Sequence, residues 1–300
     1  MVIFIVGPTS SGKSAVSVCL AGKINGEIIS CDSMQVYKDM DILSQSPSDE
    51  CRARVPHHLI KIISPEEEFS AAKFIYDAQN LISSTISRGK VPVITGGTGL
   101  YFKSLLDGLF SSPPKDEAFR GELRDMVLDK GKEYIYQKLK EADPKTARKL
   151  HSNDTRRVIR ALEVYHLTGR TIHEKKSESD GIFHKYNCVI FGLKLPRAKL
   201  YERINDAVER RFSAGIVEEV KRLKERRLSL TAAKALGIKE IGAFLDGEIS
   251  LDKAREELKK NTRKYAKRQL TWFNADKRVV WVDADRPVGE IAEEIKWRLN

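Results

Sequence analysis

The first fourteen residues constrain this chain more than any other stretch. Val2-Ile3-Phe4-Ile5-Val6 is a short apolar run rich in β-branched residues, the pattern of a buried parallel strand. Gly7-Pro8-Thr9-Ser10-Ser11-Gly12-Lys13-Ser14 follows at once and fits G-x-x-x-x-G-K-[ST]. Ala15 to Ala21 continues with helical character. Strand, glycine loop and helix in that order form the setting of a phosphate loop. The glycines let backbone N–H groups turn inward on an anion, and the helix N-terminus adds roughly half a positive charge. Lys13 supplies a point charge, and the Ser14 hydroxyl suits Mg²⁺. The motif implies that a di- or triphosphate binds. It identifies neither the phosphate nor its fate.

A sheet entered this way needs a sizeable core. The 300 residues, 41% hydrophobic and 32% charged, can bury one as a single large domain or two modest ones. No apolar run approaches a membrane span, and the start lacks the charged region and cleavage site of a signal peptide. Cys19, Cys31, Cys51 and Cys188 are scattered without a C-x-x-C pair. They indicate neither a zinc site nor a disulfide framework and suit a reducing cytosol. The net charge of +11 permits a polyanionic partner.

Further strands are expected at Glu27–Ser30, Val91–Thr95, Cys188–Leu193 and Val279–Val282. The second delivers Asp32-Ser33-Met34-Gln35 to a loop, and the third runs into Gly96-Gly97-Thr98-Gly99. Ligands of open α/β sheets gather at the carboxyl ends of strands, so Asp32, Thr98 and the phosphate loop are expected on one edge. A turn cap is the plainer reading of Asp32, and a helix start that of the glycines. The glycines also allow close backbone approach to a ligand. His57-His58 lacks partners at metal-ligand spacing and reads as structural.

Ser111-Ser112-Pro113-Pro114 breaks the α/β rhythm. Helices without strands follow, to a polar loop at Glu174–Gly181. This gives a core from 1–113 and 186–300 with a helical insertion over 114–185. Asn153 or Asp154 can cap the helix whose apolar face is Val158, Ala161, Leu162 and Tyr165. Arg156, Arg157 and Arg160 lie on it, usually a sign of a solvated face. Lys234 and Lys239 flank a glycine. The helix Asp252–Asn274 carries Lys259, Lys260, Arg263, Lys264, Lys267 and Arg268, interleaved with Tyr265, Trp272 and Phe273. A basic helix with aromatics is a reasonable nucleic-acid surface, although Trp272 and Phe273 also fit a core.

GPTSSGKS (7–14), DSMQVYK (32–38), VPHHLI (55–60), GGTGLYFKSLLDGL (96–109), NDTRRVIRALEVY (153–165), KALGIKEI (234–241) and TRKYAKRQLTWF (262–273) occur in order. Together they closely resemble the tRNA dimethylallyltransferases, also called tRNA isopentenyltransferases, over essentially the whole chain. The resemblance implies a P-loop NTPase-like core and transfer of a dimethylallyl group. The donor is dimethylallyl diphosphate, and the acceptor is the exocyclic amine of the adenosine 3′ to the anticodon in tRNA. It gives Asp32 the role of general base, Thr98 a hydroxyl at the reaction centre, and Lys13 the diphosphate with Mg²⁺ at Ser14. It implies tRNA contacts at Asp32, Ser33, Met34, Gln35, Thr98, Arg120, Arg156, Arg157, Arg160, Lys234, Lys239, Arg263, Lys267 and Arg268. A cytoplasmic, bacterial-type monomer that grips the anticodon stem-loop is expected.

Two departures stand out. The family arginine two residues after the asparagine of R-I-N is Ala207 here, which leaves Arg203 or Arg211 to reach the diphosphate. Lys61 stands where an acidic residue is common. The rival readings are a nucleotide or small-molecule kinase, an adenylate isopentenyltransferase, and a nucleotide-dependent switch or RNA-binding module. Against a GTPase switch, N-K-x-D does not occur.

Overall fold

The structure is a computed structural model describing residues 1–109, 113–177 and 180–299. Six strands pair in parallel: β1 (Val2–Val6), β2 (Gly26–Ser30), β3 (His57–His58), β4 (Val91–Gly96), β5 (Cys188–Lys194) and β6 (Val279–Asp283). Their order across the sheet is β3-β2-β4-β1-β5-β6. β1 is central because all five residues are apolar and buried, the composition of a strand covered on both faces. Its register, Val6 opposite Gly96 on one side and Gly192 on the other, fixes the ends of three neighbouring strands.

The helix Lys13–Lys23 packs Val16 and Leu20 onto Ile3, Ile5, Val93, Phe191 and Leu193. Ile291, Ala292 and Ile295 of the helix Val288–Trp297 join the same cluster. Each fully buried Val, Leu, Ile or Phe side chain among them contributes about 1.5–3 kcal/mol. Since every pair is parallel, the loops after β1, β2 and β4 emerge along one edge. This is the P-loop NTPase-like core that the motif order implied.

The chain divides into two compact units, Met1–Leu105 with Lys185–Asn300, and Leu106–His184. The second unit is helical: Glu117–Lys130, Lys132–Ala142, Pro144–Ala147, Thr155–Thr168 and Ile172–Ser177. Asp116 and Asp143 start two of these helices by accepting from the Phe119 and Thr146 N–H groups, both at 2.9 Å. Leu123, Ile135, Leu139, Val158, Ala161 and Leu162 form its core.

Three local expectations change. Tyr165 is 40% exposed and falls off the core face, which continues through Ile159 and Val164 instead. Asp154 begins its helix without a side-chain cap. The first half of the expected loop 174–181 belongs to the helix Ile172–Ser177. Its residues 178 and 179, like Ser111 and Ser112, lie outside the described residues.

Candidate active site at the carboxyl edge of the sheet

The phosphate loop leaves β1 at Gly7 with φ 143°, a conformation that favours glycine. A Cβ there would also sit 2.7 Å from the Leu193 carbonyl oxygen on the neighbouring strand. Gly12, at φ 92°, opens the helix that Lys13 begins. Lys13 is folded back, and its Nζ donates to the Pro8 carbonyl at 2.5 Å. Burial lowers its pKa to about 8, against the charge of Asp32, which raises it. The hydroxyl oxygens of Ser10 and Ser11 are buried without a protein partner. Buried polar atoms are ordinarily satisfied, so these two fit an anion held in the loop.

The loops after β2 and β4 interlock. Cys31 donates its N–H to the Thr95 carbonyl at 2.7 Å, and Thr98 donates its own to the Cys31 carbonyl at 3.3 Å. Thr98 Oγ1 accepts from the Ser33 N–H at 3.0 Å. Asp32 Oδ1 accepts from the Met34 N–H at 2.9 Å, closing an Asx turn. The capping role is thus real, and the charge of Lys13 is also felt at this carboxyl. Burial pushes the Asp32 carboxyl up, opposed by the Met34 N–H, the Lys13 charge and the Gln35 N–H. Gln35 accepts from the Ser30 hydroxyl at 2.7 Å.

The glycines of GGTG make room for protein rather than ligand. A Cβ on Gly96 would lie 2.1 Å from the Cys31 carbonyl oxygen, and one on Gly97 the same distance from Gln269 Nε2. Gln269, on the helix Leu251–Asn274, is 4% exposed. Its Oε1 accepts from the Thr9 N–H at 2.8 Å, and its Nε2 donates to the Gly97 carbonyl at 2.9 Å. Sequence reasoning missed it, because one glutamine among charged residues carries no signal of burial. Tyr265, one turn earlier, borders Thr98 and Asp32. Burial and the Asp32 charge push its phenol up, against a Thr98 hydrogen bond.

The two candidate arginines separate. Arg203 Nη1 lies 4.0 Å from where a Gly12 Cβ would be, beside the phosphate loop. Arg211, expected at the diphosphate, is 5% exposed and donates through Nη2 to the Leu236 carbonyl at 2.8 Å and the Leu43 carbonyl at 3.3 Å. Burial lowers its pKa to about 10, with Glu219 and Glu240 opposing. Arg211 is therefore a strut between segments, and Arg203 is the guanidinium next to the loop. The helix Arg197–Ser213 separates them: two turns at 1.5 Å per residue set Arg211 about 12 Å along the axis from Arg203.

The expected RNA-facing cations also divide. In the helical unit Glu163 is fully buried and accepts from Arg120 Nε at 2.7 Å, Arg120 Nη2 at 2.8 Å and Arg160 Nη1. Arg160 Nη2 donates to the Pro113 carbonyl as well. Arg120 and Arg160 thus neutralise a core carboxylate, while Arg156 and Arg157 are exposed. On the long helix Arg263 donates to Asn205 Oδ1 at 2.7 Å. Lys264, Lys267 and Arg268 are exposed, as are Lys234 and Lys239. Phe273 is buried and Trp272 is 40% exposed, so the two aromatics part company.

Among the described residues no group of three or more His, Cys, Asp or Glu side chains is placed to hold a metal ion. His58 Nε2 lies 2.8 Å from Glu27 Oε2, and His57 Nδ1 lies 2.7 Å from the Val55 carbonyl oxygen, as a structural pair would. No helix among the described residues is long and apolar enough to cross a membrane. Lys61 pairs with Asp41 at 2.7 Å.

Comparison with known proteins shows the chain's family. A family model described as IPP transferase matches residues 35–276. The tRNA dimethylallyltransferase of Carboxydothermus hydrogenoformans is 47% identical over 98% of this chain and 95% of its own length. That of Geobacter sulfurreducens is 45% identical over 94% and 91%. Among solved structures, the tRNA isopentenylpyrophosphate transferase of Bacillus halodurans superposes with a TM-score of 0.73 at 41% identity, covering 99% of this chain and 96% of that one. A eukaryotic dimethylallyltransferase acting on tRNA gives 0.77 at 30% identity, over 94% and 73%. A phosphate loop, an Asx-turn carboxylate and a threonine on one sheet edge, in a chain matched over most of its length, place this protein in the IPP transferase family.

Proposed function

We propose that this chain transfers the dimethylallyl group of dimethylallyl diphosphate to the exocyclic amine of the adenosine 3′-adjacent to the anticodon in tRNA, releasing diphosphate. The observation that carries the reading is that Asp32 and Thr98, in the interlocked loops after β2 and β4, lie on the sheet edge that also carries the phosphate loop. A kinase can use an aspartate in the same way; what favours prenyl transfer is the match to a tRNA dimethylallyltransferase over 98% of this chain. An adenine amine is a poor nucleophile, and a carboxylate beside it helps by removing its proton.

In this scheme the amine nitrogen attacks the first carbon of the dimethylallyl group. The carbon–oxygen bond breaks, and its electron pair leaves with the diphosphate. Asp32 takes the amine proton. Thr98, held by the Ser33 N–H, lines the acceptor side. Lys13, the loop N–H groups and Arg203 meet the charge growing on the diphosphate. The donor set also suits Mg²⁺, which takes few protein ligands and completes its shell with phosphate oxygens and water. The exposed Ser14 hydroxyl at the helix start would hold it. The ion would supply additional positive charge at the leaving group.

The adenosine must leave its stack to reach this pocket. Gln35, near Asp32, is the side chain proposed to meet its base edge. Arg156, Arg157, Lys234, Lys239, Lys264, Lys267 and Arg268 are proposed for sugar–phosphate contacts, which position RNA without reading sequence. A cytoplasmic location and a monomer accompany the reading. The test is to offer labelled dimethylallyl diphosphate with unmodified tRNA or with AMP, and labelled ATP with the same acceptors. The expected result is label on tRNA alone. Label on AMP would make the protein an adenylate isopentenyltransferase, and phosphoryl transfer from ATP would make it a kinase.

A further inference from the structure

We infer that Gln269 is a positioning residue that locks the donor-binding loop to the acceptor-binding loop. The inference rests on the proposed transfer reaction for its kinetic consequence and on geometry alone for the coupling. Each loop is internally bonded, Lys13 and Ser11 to Pro8 in one, Thr98 to Ser33 and Cys31 in the other. Gln269 joins the two through a single side chain. Its carbonyl end takes the Thr9 N–H of the phosphate loop, and its amide end holds the Gly97 carbonyl, one residue before Thr98.

The chemistry of the site selects this residue type. One side must accept and the other must donate, and a primary amide does both without carrying charge. Glutamate would accept from Thr9 and repel the Gly97 carbonyl. An apolar side chain would leave two buried backbone groups unpaired, at a cost comparable to a lost hydrogen bond each. Gly97 completes the fit, since any Cβ there would displace the amide. The Thr9 N–H, inside the phosphate loop, is committed to Gln269. The bond therefore sets the loop's shape before any ligand arrives.

Transfer requires the reacting carbon, held through its diphosphate, to meet an amine held near Thr98 and Asp32. A displacement of about 1 Å between two such halves costs on the order of a hundredfold in rate. Binding of either substrate alone needs only its own loop. Gln269 is expected to act on the chemical step and on communication between the loops, and much less on affinity.

The experiment uses the full chain with Gln269→Met, close in volume and unable to make either bond, and Gln269→Glu, which recovers the donor bond only when protonated. The first readout is amide hydrogen exchange with and without inorganic diphosphate and Mg²⁺. In the wild type, diphosphate is expected to slow exchange at both loops; in Gln269→Met it is expected to slow the phosphate loop only. The second readout is single-turnover transfer. Gln269→Met is expected to lose on the order of a hundredfold with donor and tRNA affinities within a few-fold. Gln269→Glu is expected to recover as pH falls, relative to the wild type, while its melting temperature does not follow the same curve. Wild-type-like exchange coupling in a folded Gln269→Met would overturn the inference. So would a loss that tracks melting temperature in both variants. A wild type that shows coupled exchange and no transfer to tRNA would leave the lock standing and remove the proposed reaction.

Discussion

The two ends of β2 hold two carboxylates whose pKa values move in opposite directions. At the amino end Glu27, 3% exposed, accepts from Arg88 Nη2 at 2.6 Å and Lys90 Nζ at 2.7 Å, and it faces His58. Burial raises its pKa, and the Lys90, His58 and Arg88 bonds outweigh burial and bring it down to about 2. At the carboxyl end Asp32 has backbone N–H groups and the more distant charge of Lys13, and burial wins. The first shift disfavours taking up a proton, and the second favours it. Glu163 in the helical unit repeats the first pattern, its pKa held down by Arg120 and Arg160 against burial. Glu219 shows that a raised pKa alone is not enough, since burial raises it too while it accepts from the Ile42 and Leu43 N–H groups; Asp32 differs by following β2 at the sheet edge that carries the phosphate loop.

The largest break in that contrast is expected at Asp32. Asp32→Ala should slow single-turnover transfer by roughly a hundredfold or more, with donor affinity and melting temperature little changed. A near-normal rate would remove the base assignment.

The next effect separates the two arginines. Arg203→Ala should weaken diphosphate binding about tenfold, the scale of a charged hydrogen bond. Arg211→Ala should leave that affinity intact and lower stability by about 1–3 kcal/mol, because two carbonyls and a buried cavity lose their partner. Calorimetric titration with diphosphate on both variants decides it; the reverse pattern would return Arg211 to the site.

Glu27→Gln should lower stability by about 1–3 kcal/mol at neutral pH, moderated because Arg88 and Lys90 still reach water. Transfer per folded molecule should be unchanged. Since its folded pKa lies below the ordinary value of 4.5, the stabilisation is complete above that value and is lost as pH falls toward about 2. Urea titrations across acid pH should show this slope in the wild type and a shallower one in Glu27→Gln.

Lys13 titrates from the other side. With its pKa lowered to about 8, the ammonium that attracts the diphosphate is lost as pH rises through that value. Diphosphate affinity should decline above about pH 8 and lose that dependence in Lys13→Met. The smallest effect belongs to the surface: Lys267→Ala should lower the salt slope of tRNA binding by about 0.7–0.9. An unchanged slope would make Lys267 a solvated cation only.

These contrasts were unevenly legible in the sequence. The phosphate loop, Asp32 and Thr98 were readable because strand, loop and helix alternate and each loop must follow its strand. The pairing of Arg120 and Arg160 with Glu163 was not, since Arg160 lies three residues from the glutamate, a spacing that looks the same whether the face is wet or buried, and Arg120 reaches it from another helix 43 residues away. Arg211 was misplaced because position along a helix face does not show which neighbour that face meets. Gln269 lay hidden in a helix whose charges suggested a single exposed surface. The two hydrogen bonds that define it span 260 and 172 residues of chain.

The central claim is that Asp32, at the carboxyl edge of the sheet with its pKa raised by burial, is the proton acceptor. The direct measurement is the single-turnover rate of dimethylallyl transfer to an unmodified anticodon stem-loop, from about pH 5 to about pH 9, in the wild type and in Asp32→Ala. The predicted result is a wild-type rate that falls on the acid side through a pKa above the ordinary aspartate value, and a much slower Asp32→Ala rate with no such limb. An acid limb that persists unchanged in Asp32→Ala would contradict the account.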